Sequence, residues 1–243
     1  MKYAFHIDFI INYDYVDKYN RLTNKGFARY LCAAATAHFD EAGYGLKDYP
    51  QTGLVWLLLG WKIKIYSRPA YNQKIHIETW SSGAEKVCSY RDYKMYDENN
   101  NLIAIASSKW ALYNLEGTTL ARITPEIMES FHNNENEHVF SEKVSKITVP
   151  KLDCLNTYNY SIMRCDIDTN QHVNNGKYFD IAEEVLPEEI FNMPLDNIEV
   201  LYKTQAMYGD SVTSFYYSNV QEHYVVIKSQ DESKVHCVFK LTK

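Results

Sequence analysis

Four strand-like stretches follow one another in this chain with no helix between them, at residues 62–66, 74–80, 87–96 and 102–113. Parallel strands need a crossover of a dozen or more residues, so this order predicts an antiparallel meander. The polar run Asp97-Glu98-Asn99-Asn100-Asn101 marks one of its hairpins. Ahead of the meander, Tyr3, Phe5, Ile7, Phe9 and Ile11 alternate as in a strand with one buried face. Phe27, Tyr30, Leu31, Ala34, Ala35, His38 and Ala42 then recur at helical spacing, with Thr23 or Asn24 as cap and Gly43 and Gly45 as stop. One long Ala-rich helix with an antiparallel meander is an α+β arrangement.

The same order returns later in the chain. A polar, aperiodic segment, His132-Asn133-Asn134-Glu135-Asn136-Glu137-His138, reads as the start of a linker over residues 131–152. A strand is expected at 159–165, a short helix at 177–185 halted by Pro187, and further strands near 199–202, 211–218, 224–228 and 235–241. At an offset of 150, Asn20 falls on Asn170, Asn24 on Asn174 and Gly26 on Gly176. Tyr66-Ser67-Arg68-Pro69-Ala70-Tyr71 resembles Tyr202-Lys203-Thr204-Gln205-Ala206-Met207-Tyr208 with one residue inserted. A duplicated strand–helix–meander unit is the simplest explanation, with units at 1–130 and 153–243.

Composition narrows the class. The net charge of −6 argues against a nucleic-acid binder. No apolar run approaches the ~18 residues needed to span a bilayer. The alternating, acid-bearing N-terminus does not read as a signal peptide. Cys32, Cys88, Cys154, Cys165 and Cys237 are scattered without metal or redox spacing, as expected of reduced thiols in the cytoplasm. No Gly-rich phosphate loop and no His/Cys/carboxylate set with metal spacing is seen, so neither cofactor nor metal is expected. The 21 tyrosines suit half-buried strands, where one end of the ring is apolar and the other wet.

The densest polar cluster runs Arg164-Cys165-Asp166-Ile167-Asp168-Thr169-Asn170-Gln171-His172-Val173-Asn174-Asn175-Gly176, between a strand and a helix start. An Asx-rich turn ending in a cap explains Asn175 and Asp166. It does not call for a histidine or for Asp-x-Asn-x-His spacing. Asp168 could activate water, while Asn170 and His172 donate to an oxyanion or orient that water. Amides at Asn174, Asn175 and Gly176 could polarise a carbonyl. Cys165, read as part of the preceding strand, is expected to pack. His38 reads as a core histidine, His236 as able to face solvent, and Tyr178 and Glu184 as packing and surface residues.

That motif, with Tyr178 and Glu184, resembles the signature of the acyl-acyl carrier protein thioesterases, the family of the plant plastid enzymes and their bacterial relatives. Glu78-Thr79-Trp80, Tyr90-Arg91-Asp92, Ser107-Ser108-Lys109-Trp110 and Tyr208-Gly209-Asp210 also resemble segments of that family. The resemblance implies a double hotdog, two tandem units in which helices are wrapped by antiparallel sheet. It implies hydrolysis of a fatty acyl chain carried on the phosphopantetheine of acyl carrier protein, in fatty acid biosynthesis, by a monomer or homodimer. Acyl-coenzyme A hydrolysis and non-catalytic acyl binding are the alternatives.

Of the family's catalytic group, Asp168, Asn170 and His172 carry over. Its glutamate position holds Gln205, and the cysteine that follows in plant members is Ala206. An amide cannot accept a proton at neutral pH but can hold a water. The expected mechanism is therefore direct attack by water, with Asp168 as base or orienter. At the 150 offset, Lys18 stands where Asp168 does and Leu22 where His172 does, so chemistry is expected in the second unit alone.

Overall fold

The computed structural model describes residues 3–131, Asn134, 137–219 and 221–243. His132, Asn133, Glu135 and Asn136 of the expected linker lie outside the described residues. The chain divides into two compact units, Met1–Val144 and Ser145–Lys243.

In the first unit, β1 (Phe5–Ile10) leads through a short turn to α1 (Asn24–Glu41). Thr23 caps α1 by accepting from the Gly26 amide, and Gly43 ends it with φ at +78°, a conformation costly for residues with a Cβ. A one-turn helix, α2 (Tyr49–Thr52), precedes β2 (Leu54–Ile65), β3 (Lys74–Glu85), β4 (Cys88–Asp97) and β5 (Leu102–Asn114). All neighbours are antiparallel, in the order β1-β3-β4-β5-β2.

Strand β2 begins eight residues before the expected stretch. Leu54–Trp61 is an apolar run without alternation, and a bulge between Leu58 and Gly60 shifts its register, so no period of two was visible. β6 (Thr119–Leu120) and α3 (Pro125–Ser130), which Thr124 caps, were not expected. Ala34 and Ala35 are fully buried on α1, where small side chains let the helix lie close to the sheet. Phe39 stacks on Trp56 at 5.2 Å and meets Trp110 edge-on at 5.0 Å. His38 is a core histidine, 2.7 Å from the buried Arg91 guanidinium and stacked on Phe5. Burial draws the Arg91 pKa down to about 10, which leaves it charged at neutral pH.

The second unit carries β7 (Asn156–Ser161), α4 (Lys177–Glu183), α5 (Glu188–Phe191), β8 (Asn197–Tyr202), β9 (Ser211–Ser218), β10 (Glu222–Ser229) and β11 (Val235–Thr242). Its strands pair antiparallel in the order β8-β11-β10-β9-β7. Phe179 of α4 meets Phe239 of β11 edge-on at 5.1 Å, and Ile181, Val200, Val225 and Ile227 fill the surrounding core.

Two expectations are corrected here. β7 stops at Ser161, four residues early, because Met163 to Asp166 fold into a 3-10 turn; Cys165 is consequently exposed rather than packed in a strand. His236 is buried, because its Nδ1 donates to the Thr204 carbonyl at 2.9 Å.

Candidate active site

The Asp-x-Asn-x-His run is a closed loop pinned at both ends. Ile167 and Val173 form an isolated antiparallel bridge, and the Asp168 amide donates to the His172 carbonyl at 3.0 Å. Closing so short a loop requires one left-handed residue, and Gln171 takes it with φ at +66°. Asp168 Oδ1 accepts from the Asn170 amide at 2.8 Å, an Asx turn. His172 is four residues on, its Nδ1 3.9 Å from the same Asp168 oxygen and 3.4 Å from the Val173 carbonyl. The loop thus brings the Asp168 carboxylate beside the His172 imidazole, both largely but not wholly covered, with Asn170 exposed between them.

Asp166 does a different job. It is buried, and its Oδ2 accepts from the Met163 amide and the Tyr160 hydroxyl, both at 2.8 Å. Lys177 Nζ stands 3.4 Å from the other oxygen. Burial opposes the Lys177 charge, but Tyr160, Asp166 and Asp180 outweigh it and raise its pKa. Every lone pair of this carboxylate faces structure, so Asp166 anchors the loop.

Two of the amides expected to be free at the helix start, those of Asn174 and Gly176, are in use. The Gly176 amide donates to Asn174 Oδ1 at 2.9 Å, the Lys177 amide to the Asn174 carbonyl at 2.8 Å and the Asn174 amide to the Asp166 carbonyl at 2.8 Å. The Asn175 carbonyl accepts from the Tyr202 hydroxyl at 3.2 Å. The Asn174 and Gly176 amides therefore shape the loop-to-helix connection. Tyr178 is buried, with its pKa raised by burial, and its hydroxyl accepts from the Ala206 amide at 3.3 Å; Glu184 is exposed at the end of α4.

Gln205 is exposed on a segment held on both sides. The Val173 amide donates to the Ala206 carbonyl at 2.9 Å, which seats this segment against the residue following His172. On the other side His236 holds the Thr204 carbonyl, and its own carbonyl accepts from the Lys203 amide at 2.8 Å. Gly209, with φ at +88°, turns the chain so that the Asp210 carbonyl can accept from the Ile162 amide at 2.9 Å. His236 is the residue whose part in this region the sequence did not suggest, since alternation alone could not tell which face of β11 it takes.

The first unit contains the same loop, displaced by 151 residues rather than 150. Val16 bridges Leu22, the Asp17 amide donates to the Arg21 carbonyl at 2.9 Å, and Asp17 Oδ1 accepts from the Tyr19 amide at 2.8 Å. Asn20 takes the left-handed position with φ at +59°. The expected pairings of Lys18 with Asp168 and Leu22 with His172 are thus corrected. Asp17 answers to Asp168, Tyr19 to Asn170, Arg21 to His172 and Leu22 to Val173. Identity matching chose the wrong frame because Asn suits both the left-handed and the neighbouring turn positions.

The first-unit carboxylate is closed off by its partner. Arg21 Nε and Nη2 both donate to Asp17 Oδ2, at 3.0 and 2.9 Å. Burial alone would raise the Asp17 pKa, but the Arg21 amide and guanidinium and the Tyr19 amide together pull it below its ordinary value. In the corresponding position across from this loop, the Leu22 amide donates to the Pro69 carbonyl, and Arg68 reaches back to the Leu22 carbonyl at 2.9 Å and to Asn24 Oδ1 at 2.8 Å.

Comparison with known proteins places these features in a family. Residues 2–131 match the model of the acyl-ACP thioesterase N-terminal domain, and residues 151–242 that of the C-terminal domain. The chain is 29% identical over 210 residues to oleoyl-acyl carrier protein thioesterase 2, chloroplastic, of Arabidopsis thaliana, covering 79% of this chain and 57% of that protein. It is 26% identical over 211 residues to the chloroplastic oleoyl-acyl carrier protein thioesterase of Coriandrum sativum, with 79% and 56% covered. It therefore spans little more than half the length of these relatives.

Among solved structures, an acyl-ACP thioesterase from Bacteroides thetaiotaomicron superposes with a TM-score of 0.87 at 23% identity, covering 98% of this chain and 97% of that one. The 12:0-ACP thioesterase from Umbellularia californica gives 0.80 at 18% identity, covering 98% and 96%. The fold is the hotdog-type α+β architecture of these proteins. The chain belongs to the acyl-ACP thioesterase family.

Proposed function

We propose that the chain hydrolyses fatty acyl thioesters of acyl carrier protein, releasing free fatty acid in fatty acid biosynthesis, with the chemistry in the second unit's loop and the first unit accommodating the acyl chain. The observation that carries this reading is the pairing of Asp168 and His172 in a loop whose first-unit counterpart closes its carboxylate with an arginine. Family membership supports the substrate class.

In the proposed reaction a water attacks the thioester carbonyl carbon, and the Asp168–His172 pair takes its proton. The side-chain amide of Asn170, which stands exposed, donates to the oxygen on which charge develops. As the tetrahedral intermediate collapses, the carbon–sulfur bond breaks and the phosphopantetheine sulfur leaves, taking up a proton from the pair. Gln205 holds the attacking water. Its place is supported by Arg68, which from the matching position of the first unit reaches the loop and the helix start. No residue of this set forms a covalent bond to substrate. Cys165 is exposed four residues beyond the end of β7 and forms no part of the pair.

No helix among the described residues is long and apolar enough to cross a membrane. The five cysteines are all free thiols, which supports a reducing, cytoplasmic setting. The test is a hydrolysis panel over acyl chain lengths on both carrier protein and coenzyme A. Turnover preferring the carrier protein is expected. Preference for coenzyme A would move the substrate class, and acyl binding without turnover on either carrier would overturn the reading.

A further inference from the structure

The outer face of the first unit's edge strand brings together three groups that no sequence spacing connects. β1 pairs with β3 so that His6 lies opposite Glu78 and Asp8 opposite His76. His6 Nδ1 is 3.1 Å from His76 Nε2 and 3.9 Å from Glu78 Oε1, and one donor atom from each of the three residues falls within 4.8 Å of the others. The opposite face of β1 is spoken for, since Phe5 stacks on His38 and Phe9 packs at a tilt against Tyr30. His6, with 54% of its side chain exposed, therefore opens to solvent.

We propose that His6, His76 and Glu78 form a site for a divalent transition cation of zinc type, with a solvent molecule completing its shell. Two imidazoles and one carboxylate are a donor set zinc accepts, and tetrahedral bonds of about 2.0 Å put neighbouring ligand atoms about 3.3 Å apart. The pairs at 3.1 and 3.9 Å bracket that separation.

A second observation separates this cluster from a chance meeting of surface side chains. Asp8 Oδ1 stands 2.6 Å from His76 Nδ1. A proton held between those two atoms leaves Nε2, the nitrogen facing His6 and Glu78, with its lone pair bare. That is the carboxylate–histidine–metal relay by which proteins fix a ligand's tautomer and raise its basicity. Glu78 is oriented too, because the Tyr96 hydroxyl donates to its Oε2 at 3.3 Å and leaves Oε1 turned to His6. Lys94, which lies opposite Glu78 on β4, is drawn to the Glu137 carboxylate at 2.8 Å.

Isothermal titration of the chelator-treated chain with zinc chloride near neutral pH tests this, with cobalt(II) absorption reporting geometry. One saturable equivalent and an intense tetrahedral cobalt band are expected for the parent. Both should vanish in the His6→Ala/His76→Ala double variant and in Glu78→Gln weaken markedly. Asp8→Asn, which keeps every ligand, should bind about 10–100-fold more weakly. All four positions are on an exposed sheet face, and equal melting temperatures without metal would confirm that the variants fold. A parent that shows no saturable equivalent, or a double variant that binds as the parent does through exposed thiols elsewhere, would overturn the site.

Discussion

Asp168 and Asp17 occupy the same point of the same hydrogen-bonded loop, and each faces the side chain four residues on: His172, with Nδ1 3.9 Å away, in one case and Arg21, at 2.9 Å, in the other. An arginine stays protonated and keeps its carboxylate neutralised, whereas an imidazole can exchange a proton near neutral pH. The two loops thus share one scaffold and differ in the partner of the carboxylate, the difference on which the proposed reaction rests.

Asp166 and Asp168, two residues apart, should separate stability from turnover. Asp166→Ala takes the acceptor from the Met163 amide and the Tyr160 hydroxyl and one of two carboxylates from Lys177, and should cost about 3 kcal/mol in urea unfolding. Asp168→Ala removes one Asx-turn acceptor and should cost about 1 kcal/mol. Equal losses of stability would mean that the division between anchor and reactive carboxylate is wrong.

The left-handed residue of the first loop makes a second contrast. Asn20→Ala puts a side chain with no local hydrogen bond at φ +59° and deletes the acceptor of the Tyr71 amide, so it should destabilise by about 1–2 kcal/mol. Asn20→Gly removes the steric part and should recover much of that. Neither should alter the rate of the chemical step, which single-turnover hydrolysis measures directly.

How far the sequence carried these conclusions differs from element to element. β1, α1 and β9 were legible because one face of each is more covered than the other, which writes the period of the element into the apolar residues. β2 was half missed because Leu54–Trp61 is apolar on both faces. The Asp-x-Asn-x-His loop was legible by its residue types, but its hydrogen bonds were not. Only they set the duplication frame at 151 and show the amides at Gly176 and Lys177 to be in use. The cluster of His6, His76 and Glu78 was invisible for a simpler reason. Its members meet across two strands some seventy residues apart in the chain, where metal-ligand spacing has no meaning.

Gln205→Glu should change the pH dependence of hydrolysis. The two side chains are nearly isosteric, but only the carboxylate can take a proton. A second acid near Asp168 would raise the pKa of one of the two by like-charge repulsion, shifting the acid limb of the rate profile upward. An unchanged profile would place position 205 away from the reacting water.

His223 gives the fold a pH dependence of its own. It is buried, with the Tyr216 hydroxyl 2.8 Å and the Ser218 hydroxyl 3.1 Å from Nδ1, and burial followed by the charge of Lys243 lowers its pKa below 6.5. The unfolded chain therefore takes up this proton first as the pH falls. The stabilisation is complete above about pH 6.5 and is lost as the pH drops through the folded-state value. Urea midpoints of the parent should decline over that range, and His223→Gln should decline less. Parallel slopes would remove His223 from the explanation.

In the proposed reaction, reactivity depends on which residue faces the loop carboxylate. The most direct measurement of this dependence is kcat for acyl-carrier-protein hydrolysis by Asp168→Asn, His172→Ala and Asp17→Asn, each checked for native folding. The first two should fall by on the order of 10²–10⁴, the range expected when an acid–base group or an oxyanion donor is lost, while Asp17→Asn keeps the turnover of the parent. Folded Asp168→Asn and His172→Ala proteins that turn over as the parent does, or an Asp17→Asn protein that loses as much as they do, would contradict it.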